Sequence, residues 1–205
     1  PDTRTRGFGN MVLSRWPILY SRAHSLPRPP IGSEDLPADF YPLVDLPRTA
    51  LETIIDVQGR PLRVFSVHLS HLPGVQRGAQ IEVLQELVTA LSSEAQLWQP
   101  DPSLSHFVED MAAPPVPDDT ILCGDFNFEP DHPEYAQMCG RYADGWALAG
   151  LDSGKVGTCV ETAGRLSTLD YCFFSTAIAQ AVKTAKVEQA NRSSDHFPVF
   201  FEIYL

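Results

Sequence analysis

The segment Leu62–Leu69 is apolar on both faces of an extended chain. Leu62, Val64, Ser66 and His68 lie on one side, and Arg63, Phe65, Val67 and Leu69 on the other. Such a strand belongs in a sheet covered on both sides. A second strand candidate, Leu51–Val57, precedes it, and the intervening Gln58-Gly59-Arg60-Pro61 is a hairpin signal. Further strands are expected at Thr120–Cys123, Leu169–Phe174, Val182–Val187 and Phe197–Tyr204. Phe8–Ser14 alternates apolar residues until Arg15-Trp16-Pro17 breaks the pattern, and Ile18–Ser21 can resume a strand. The best helix is Val75–Trp98. Its Ile81, Leu84, Val88, Leu91 and Ala95 recur at spacings of three and four, with Arg77, Glu82, Glu86 and Glu94 outside that stripe. A short helix is expected over His132–Cys139. Loops are expected over 22–50 and 99–118. Within the first, Leu26–Pro47 carries six prolines and at most one short strand, around Phe40–Leu43. Strands outnumber helices, which predicts two packed sheets with helices outside them, in a single domain spanning 1–205.

Composition narrows the class of function. At 205 residues and 43% hydrophobic, the chain can bury a globular core, and its apolar runs are too short to span a bilayer as a helix. Fifteen basic against 26 acidic side chains give a net charge of −11. That disfavours binding of polyanions by bulk attraction, but leaves open a local basic groove or contact through metal ions. The four cysteines, Cys123, Cys139, Cys159 and Cys172, show no zinc-binding spacing. They read as free thiols of a reducing compartment, which favours the cytoplasm. A Cys139–Cys159 bridge is the alternative for a secreted chain. Pro1–Arg6 has no signal-peptide core.

Polar residues cluster just past apolar strands in four places: Val67-His68-Leu69-Ser70-His71, Gly124-Asp125-Phe126-Asn127, Leu169-Asp170-Tyr171 and Ser193-Ser194-Asp195-His196. Carboxylates and imidazoles at such positions are costly unless paired or liganded, and strand ends are where rigid scaffolds present reactive groups. With Gly9-Asn10-Met11-Val12-Leu13-Ser14-Arg15-Trp16-Pro17-Ile18 ahead of them, these motifs stand in an order that resembles the endonuclease/exonuclease/phosphatase superfamily of metal-dependent phosphoesterases. The resemblance runs from about residue 7 to the C-terminus, with the Pro-rich loops unmatched. It implies an α/β (α+β) fold, a four-layer αββα sandwich of two mainly antiparallel sheets.

The local chemistry of Gly-Asp-Phe-Asn has Asp125 orienting or activating the attacking water, and Asn127 donating its amide to a phosphate oxygen. In an extended segment the two would face one side. The bland alternative is an Asx turn closing a strand. The resemblance implies that His196 is the catalytic imidazole, that Asp170 pairs with it, and that His68 contacts the scissile phosphate or the leaving group. It makes Asp195 a metal ligand, with Asp125 and Asn127 as further oxygen donors, for Mg²⁺ or Mn²⁺. The alternatives are a surface His196 in a turn, Asp170 capping a turn, and a satisfied core His68. His71 reads as incidental, and His24, His106 and His132 as surface residues. Arg15 and Arg77 read as solvated charges ahead of phosphate ligands, and Asn10 as a structural residue near the site.

The family pattern also has an upstream strand carrying an Asn, followed by a metal-binding Glu, but only nine residues precede Asn10. The chain therefore reads as the C-terminal portion of such a domain, with poor stability or self-association expected of it alone. The expected activity is hydrolysis of a phosphoester, chiefly a phosphodiester, by activated water. The substrate is a small molecule, a phospholipid head group or a nucleic acid. The alternative is an incomplete pseudoenzyme or interaction module on the same scaffold. No Gly-x-Ser-x-Gly elbow supports a serine hydrolase.

Overall fold

The computed structural model describes residues 8–32, 45–72, 74–97, 115–161 and 164–205, with side chains in the long helix given through residue 89. Phe40–Leu43, His106, Trp98 and most of 99–118 lie outside the described residues, as do the side chains of Leu91, Glu94 and Ala95.

The hairpin forms where the sequence places it. Strands β2 (Thr49–Val57) and β3 (Arg60–His68) pair antiparallel, with Val57 opposite Arg60. The turn is tighter than expected, because Gln58 and Gly59 alone make it, with φ of 56° and 90°. Positive φ at both central residues is the two-residue hairpin turn whose twist suits flanking strands, and Gly59 makes it accessible. Strand β1 (Ile18–Ser25) adds to the outer side of β2. Helix α1 (Gly74–Leu97) then crosses over to β4 (Thr120–Asp125), which lies parallel to β3. Helix α2 (Pro133–Cys139), strand β5 (Ala143–Asp144) and helix α3 (Gly145–Leu148) follow. The short strands β6 (Cys159–Val160) and β7 (Leu166–Ser167) pair with each other. Strand β8 (Asp170–Phe174) completes the main sheet, whose order is β1-β2-β3-β4-β8-β5. Strands β9 (Val182–Val187) and β10 (Val199–Ile203) form a separate antiparallel pair.

Both faces of the main sheet are covered, as the two apolar faces of β3 require. Phe65, Val67 and Leu122 pack with Ile81 and Leu84 of α1 and Met138 of α2. On the opposite face, Leu62, Ile121 and Phe174 pack with Val182 of β9, and Phe201 and Ile203 of β10 join them. The result is an α/β sandwich of two mainly antiparallel sheets, β3/β4 being the parallel exception.

Three expectations need correction. The predicted loop 22–50 is shorter than that, because β1 continues through Ser25 and β2 begins at Thr49. His24 there is a core residue: its Nε2 lies 2.7 Å from Glu52, which also accepts from Arg63 Nε at 2.6 Å. Arg63 spends its other donors on the Leu87 and Val88 carbonyls of α1. Buried charge of this kind persists because every partner is supplied. Secondly, Phe8–Ser14 is irregular, with Met11 and Leu13 exposed, since no strand among the described residues pairs with it. Thirdly, Arg77 is buried, bonded to Glu134 and the Leu72 carbonyl. All four cysteines are free, so no Cys139–Cys159 bridge forms. No helix among the described residues is long and apolar enough to cross a membrane.

Candidate active site

Three strand ends line up. His68 ends β3, Asp125 ends β4 and Asp170 begins β8, and the ladder pairs His68 with Asp125 and Asp125 with Asp170. Register partners share a face, so the three side chains form one row along the edge of the sheet. His68 Nε2 lies 3.2 Å from Asp125 Oδ2.

His196 reaches this row from the segment before β10. A backbone bridge pairs it with Cys159, the Val160 amide donates to the Asp195 carbonyl, and the Phe197 amide donates to the Thr158 carbonyl. The imidazole is thereby held with Nδ1 2.8 Å from Asp170 Oδ2 and Nε2 3.8 Å from Asp125 Oδ2. The Asp170 bond raises the imidazole to about 9, against the opposing effect of burial and with help from the Asp170, Asp125 and Asp195 charges. A carboxylate on Nδ1 fixes the tautomer and leaves Nε2 as the nitrogen facing Asp125.

Asp170 is itself positioned. Thr158, fully buried, donates Oγ1 to Asp170 Oδ2 at 2.7 Å and accepts the Leu169 and Asp170 amides at 3.0 Å each. Sequence reading missed Thr158, and nothing in Val156-Gly157-Thr158 marks it.

The Gly-Asp-Phe-Asn motif is bent, not extended. The Asn127 amide donates to Asp125 Oδ1 at 2.9 Å, and Asn127 has φ 53°. This is the Asx turn, and Asn tolerates the left-handed region it needs. Asn127 Nδ2 donates to the Leu69 carbonyl at 2.9 Å and to Asp125 Oδ2 at 3.3 Å. Its amide hydrogens are therefore spent on Asp125 and the Leu69 carbonyl, and the turn and the site are the same structure. Gly124, at φ 141°, lets β4 close on β3: a Cβ there would sit 2.0 Å from the Val67 carbonyl oxygen.

The remaining candidates fall as follows. Asp195 is exposed, bonded to Ser194 Oγ. Asn10 donates to the Thr49 carbonyl at the head of β2. Arg15 is exposed against Trp16. His71 is not incidental, since its Nδ1 takes a bond from Arg48 Nη2 at 3.1 Å. Arg48 was also missed. Counting back from the two-residue turn would have placed its neighbour Thr49 opposite His68.

The expected metal site does not assemble from these residues alone. Among the described residues, no group of three or more His, Cys, Asp or Glu side chains is arranged to hold a metal ion. A hard divalent cation takes about six oxygen ligands. The oxygens of Asp125, Asp195 and Asn127 are too few to complete that shell, so the set falls short by itself.

A two-sided mixed sheet with this row at its strand ends is a DNase I-like α/β sandwich. The chain belongs to the endonuclease/exonuclease/phosphatase family, whose sequence profile matches residues 1–196. Comparison with curated proteins by sequence returns no match. Among solved structures it resembles a family member from Bacteroides vulgatus, with TM-score 0.62 and 16% identity, covering 93% of this chain and 66% of that one. A functionally unknown conserved protein from Enterococcus faecalis V583 aligns with TM-score 0.59 and 21% identity, over 92% of this chain and 66% of the other. The mannosyl-6-phosphatase Bt3783 of Bacteroides thetaiotaomicron VPI-5482 aligns with TM-score 0.58 and 20% identity, over 93% and 67%. The chain thus spans about two thirds of the length of these structures.

Proposed function

We propose that this chain acts as a phosphoester hydrolase, chiefly a phosphodiesterase, that cleaves the P–O bond with activated water. The observation behind this reading is the convergence of His68, Asp125, Asp170 and His196, drawn from three neighbouring strand ends and one locked loop. Asp125, steadied by Asn127, orients the attacking water and takes its proton. The water oxygen bonds to phosphorus as the P–O bond to the leaving group breaks. His196 Nε2 returns a proton to the departing oxygen, while Asp170 and Thr158 hold the ring. His68 donates to the phosphoryl oxygens as charge develops on them. Mg²⁺ or Mn²⁺, which the family resemblance implies, would supply charge neutralisation at the phosphate when bound, but Asp195, Asp125 and Asn127 supply only part of its oxygen shell.

Family membership supports the reaction class and leaves the substrate open, because one fold serves many phosphoesters. A net charge of −11 favours small phosphodiesters or head groups over long nucleic acid. The test is hydrolysis of an aryl phosphodiester with Mg²⁺ or Mn²⁺ against a chelator control, alongside Asp125→Asn and His196→Ala. Turnover lost in both variants supports the reading. Turnover that survives both refutes it. Binding of phosphate without any turnover favours the incomplete-scaffold alternative.

A further inference from the structure

Beside His68, and outside the row just described, lies a cavity of about 260 Å³ bordered by Phe8, Asn10, Pro47, Arg48, Thr49 and His68. A water takes about 30 Å³, so a tetrahedral oxyanion fits. Its chemistry is lopsided. Arg48 is only 4% exposed, yet its Nε and Nη1 have no hydrogen-bond partner. Its Nη2 is used on His71 Nδ1. With Nδ1 accepting, His71 carries its proton on Nε2, and that atom is also buried without a partner. These unmatched positions are all donors. The one unmatched acceptor nearby, Asp45 Oδ1, belongs to a carboxylate already bonded to Arg28 and Gln76 through Oδ2.

Leaving a buried guanidinium half-satisfied is strongly unfavourable if nothing ever fills it. Nothing structural is gained in return. Arg48 makes no carboxylate ion pair among the described residues, and its cation–π contact is with the exposed ring of Phe8, 5.7 Å away. That same ring lies 5.4 Å from His68, so it covers Arg48 and His68 together. A guanidinium that borders the cavity with two unpartnered donors matches the oxygens of a phosphate, and its planar fork suits them better than an ammonium does.

We propose that Arg48, held through Nη2 by His71, forms an oxyanion subsite that binds non-bridging oxygens of a substrate phosphate next to His68. The proposal rests on reading the strand-end row as a phosphoester site, but its binding test stands apart from turnover. The oxygens belong either to the scissile phosphate or to a second phosphate on the substrate.

The experiment titrates inorganic phosphate into the chain by calorimetry, for wild type, Arg48→Met and Arg15→Met, and follows thermal unfolding in phosphate-free buffer. Losing charge-assisted hydrogen bonds, Arg48→Met is expected to weaken phosphate by about tenfold or more. Arg15→Met is expected to bind within about twofold of wild type, since Arg15 is exposed against Trp16 and has no part in the site. Without phosphate, Arg48→Met is expected to melt at or above the wild-type temperature, because it removes an unpaired buried charge. A wild type that binds no phosphate, or an Arg48→Met chain that binds it equally well, overturns the proposal. So does a lower melting temperature with unchanged phosphate affinity, which marks Arg48 as purely structural. Two aryl phosphodiesters, one bearing an extra phosphate, separate the sources. A rate loss on both assigns the scissile phosphate, and a loss confined to the second assigns the neighbouring one. If no hydrolysis is seen with any chain, the phosphoesterase reading fails while the phosphate titration still decides the subsite.

Discussion

Replacing Asp170 with Asn removes one charge and changes little else in shape. In the native chain the Asp170 carboxylate holds His196 Nδ1 at 2.8 Å and lifts the imidazole to about 9. Raising a His from its ordinary value near 6.5 to that level corresponds to about 3 kcal/mol, at about 1.4 kcal/mol per tenfold. The ring is 31% exposed, so solvent screening reduces this to about 1–2 kcal/mol. The sign follows from linkage. The folded value lies above the unfolded one, so the stabilisation is complete below pH 6.5 and drains away as pH rises through about 9. Asp170→Asn therefore destabilises the chain most at pH 6, and its deficit shrinks towards pH 9.5. The part that remains there is the weakening of the Thr158 bond when an amide oxygen replaces a carboxylate, which does not titrate. Urea unfolding at several pH values with a chelator present measures the deficit, and NMR titration of the His196 ring protons reads the imidazole directly. A deficit that stays flat from pH 6 to 9.5, or a ring that still titrates near 9 in the variant, would refute the reasoning.

Other perturbations probe the frame. Gly124→Ala forces a Cβ to within 2.0 Å of the Val67 carbonyl and strains φ, so β3 and β4 must part. We expect a loss of about 3 kcal/mol, a melting temperature lower by roughly 6–12 °C, and loss of hydrolysis. Arg63→Met strands Glu52 beside His24 and is expected to cost about 3–5 kcal/mol in chemical denaturation; adding Glu52→Gln should recover part of that. Thr158→Val keeps the shape but frees Asp170, so kcat should fall with KM and phosphate affinity nearly unchanged. An effect on KM alone would place Thr158 in binding.

The sequence made legible whatever depends on period and order. The two apolar faces of Leu62–Leu69 required a sheet covered on both sides, and the structure supplies α1 on one face and β9–β10 on the other. The polar strand ends were legible because carboxylates and imidazoles rarely follow core strands without a task. Polar residues whose partners are distant in sequence were not legible. His24 looked like a loop residue because Glu52 and Arg63, which make it a core residue, lie 28 and 39 positions away. Arg77 looked solvated for the same reason, its partner Glu134 being on another helix. Thr158 escaped notice since a buried threonine bonding one carboxylate leaves no pattern in its neighbours. The Asx turn was weighed as a rival to the functional reading of Asp125 and Asn127, when the turn is the means by which Asn127 holds Asp125.

The central claim is that Asp125 and His196 act on one phosphate as a unit. The most direct measurement is kcat/KM for an aryl phosphodiester in Asp125→Asn, His196→Ala and the double variant. Groups that serve one transition state are strongly non-additive, so the double variant should be about as slow as the slower single one. Losses that multiply independently, or a double variant with wild-type turnover, would contradict the account.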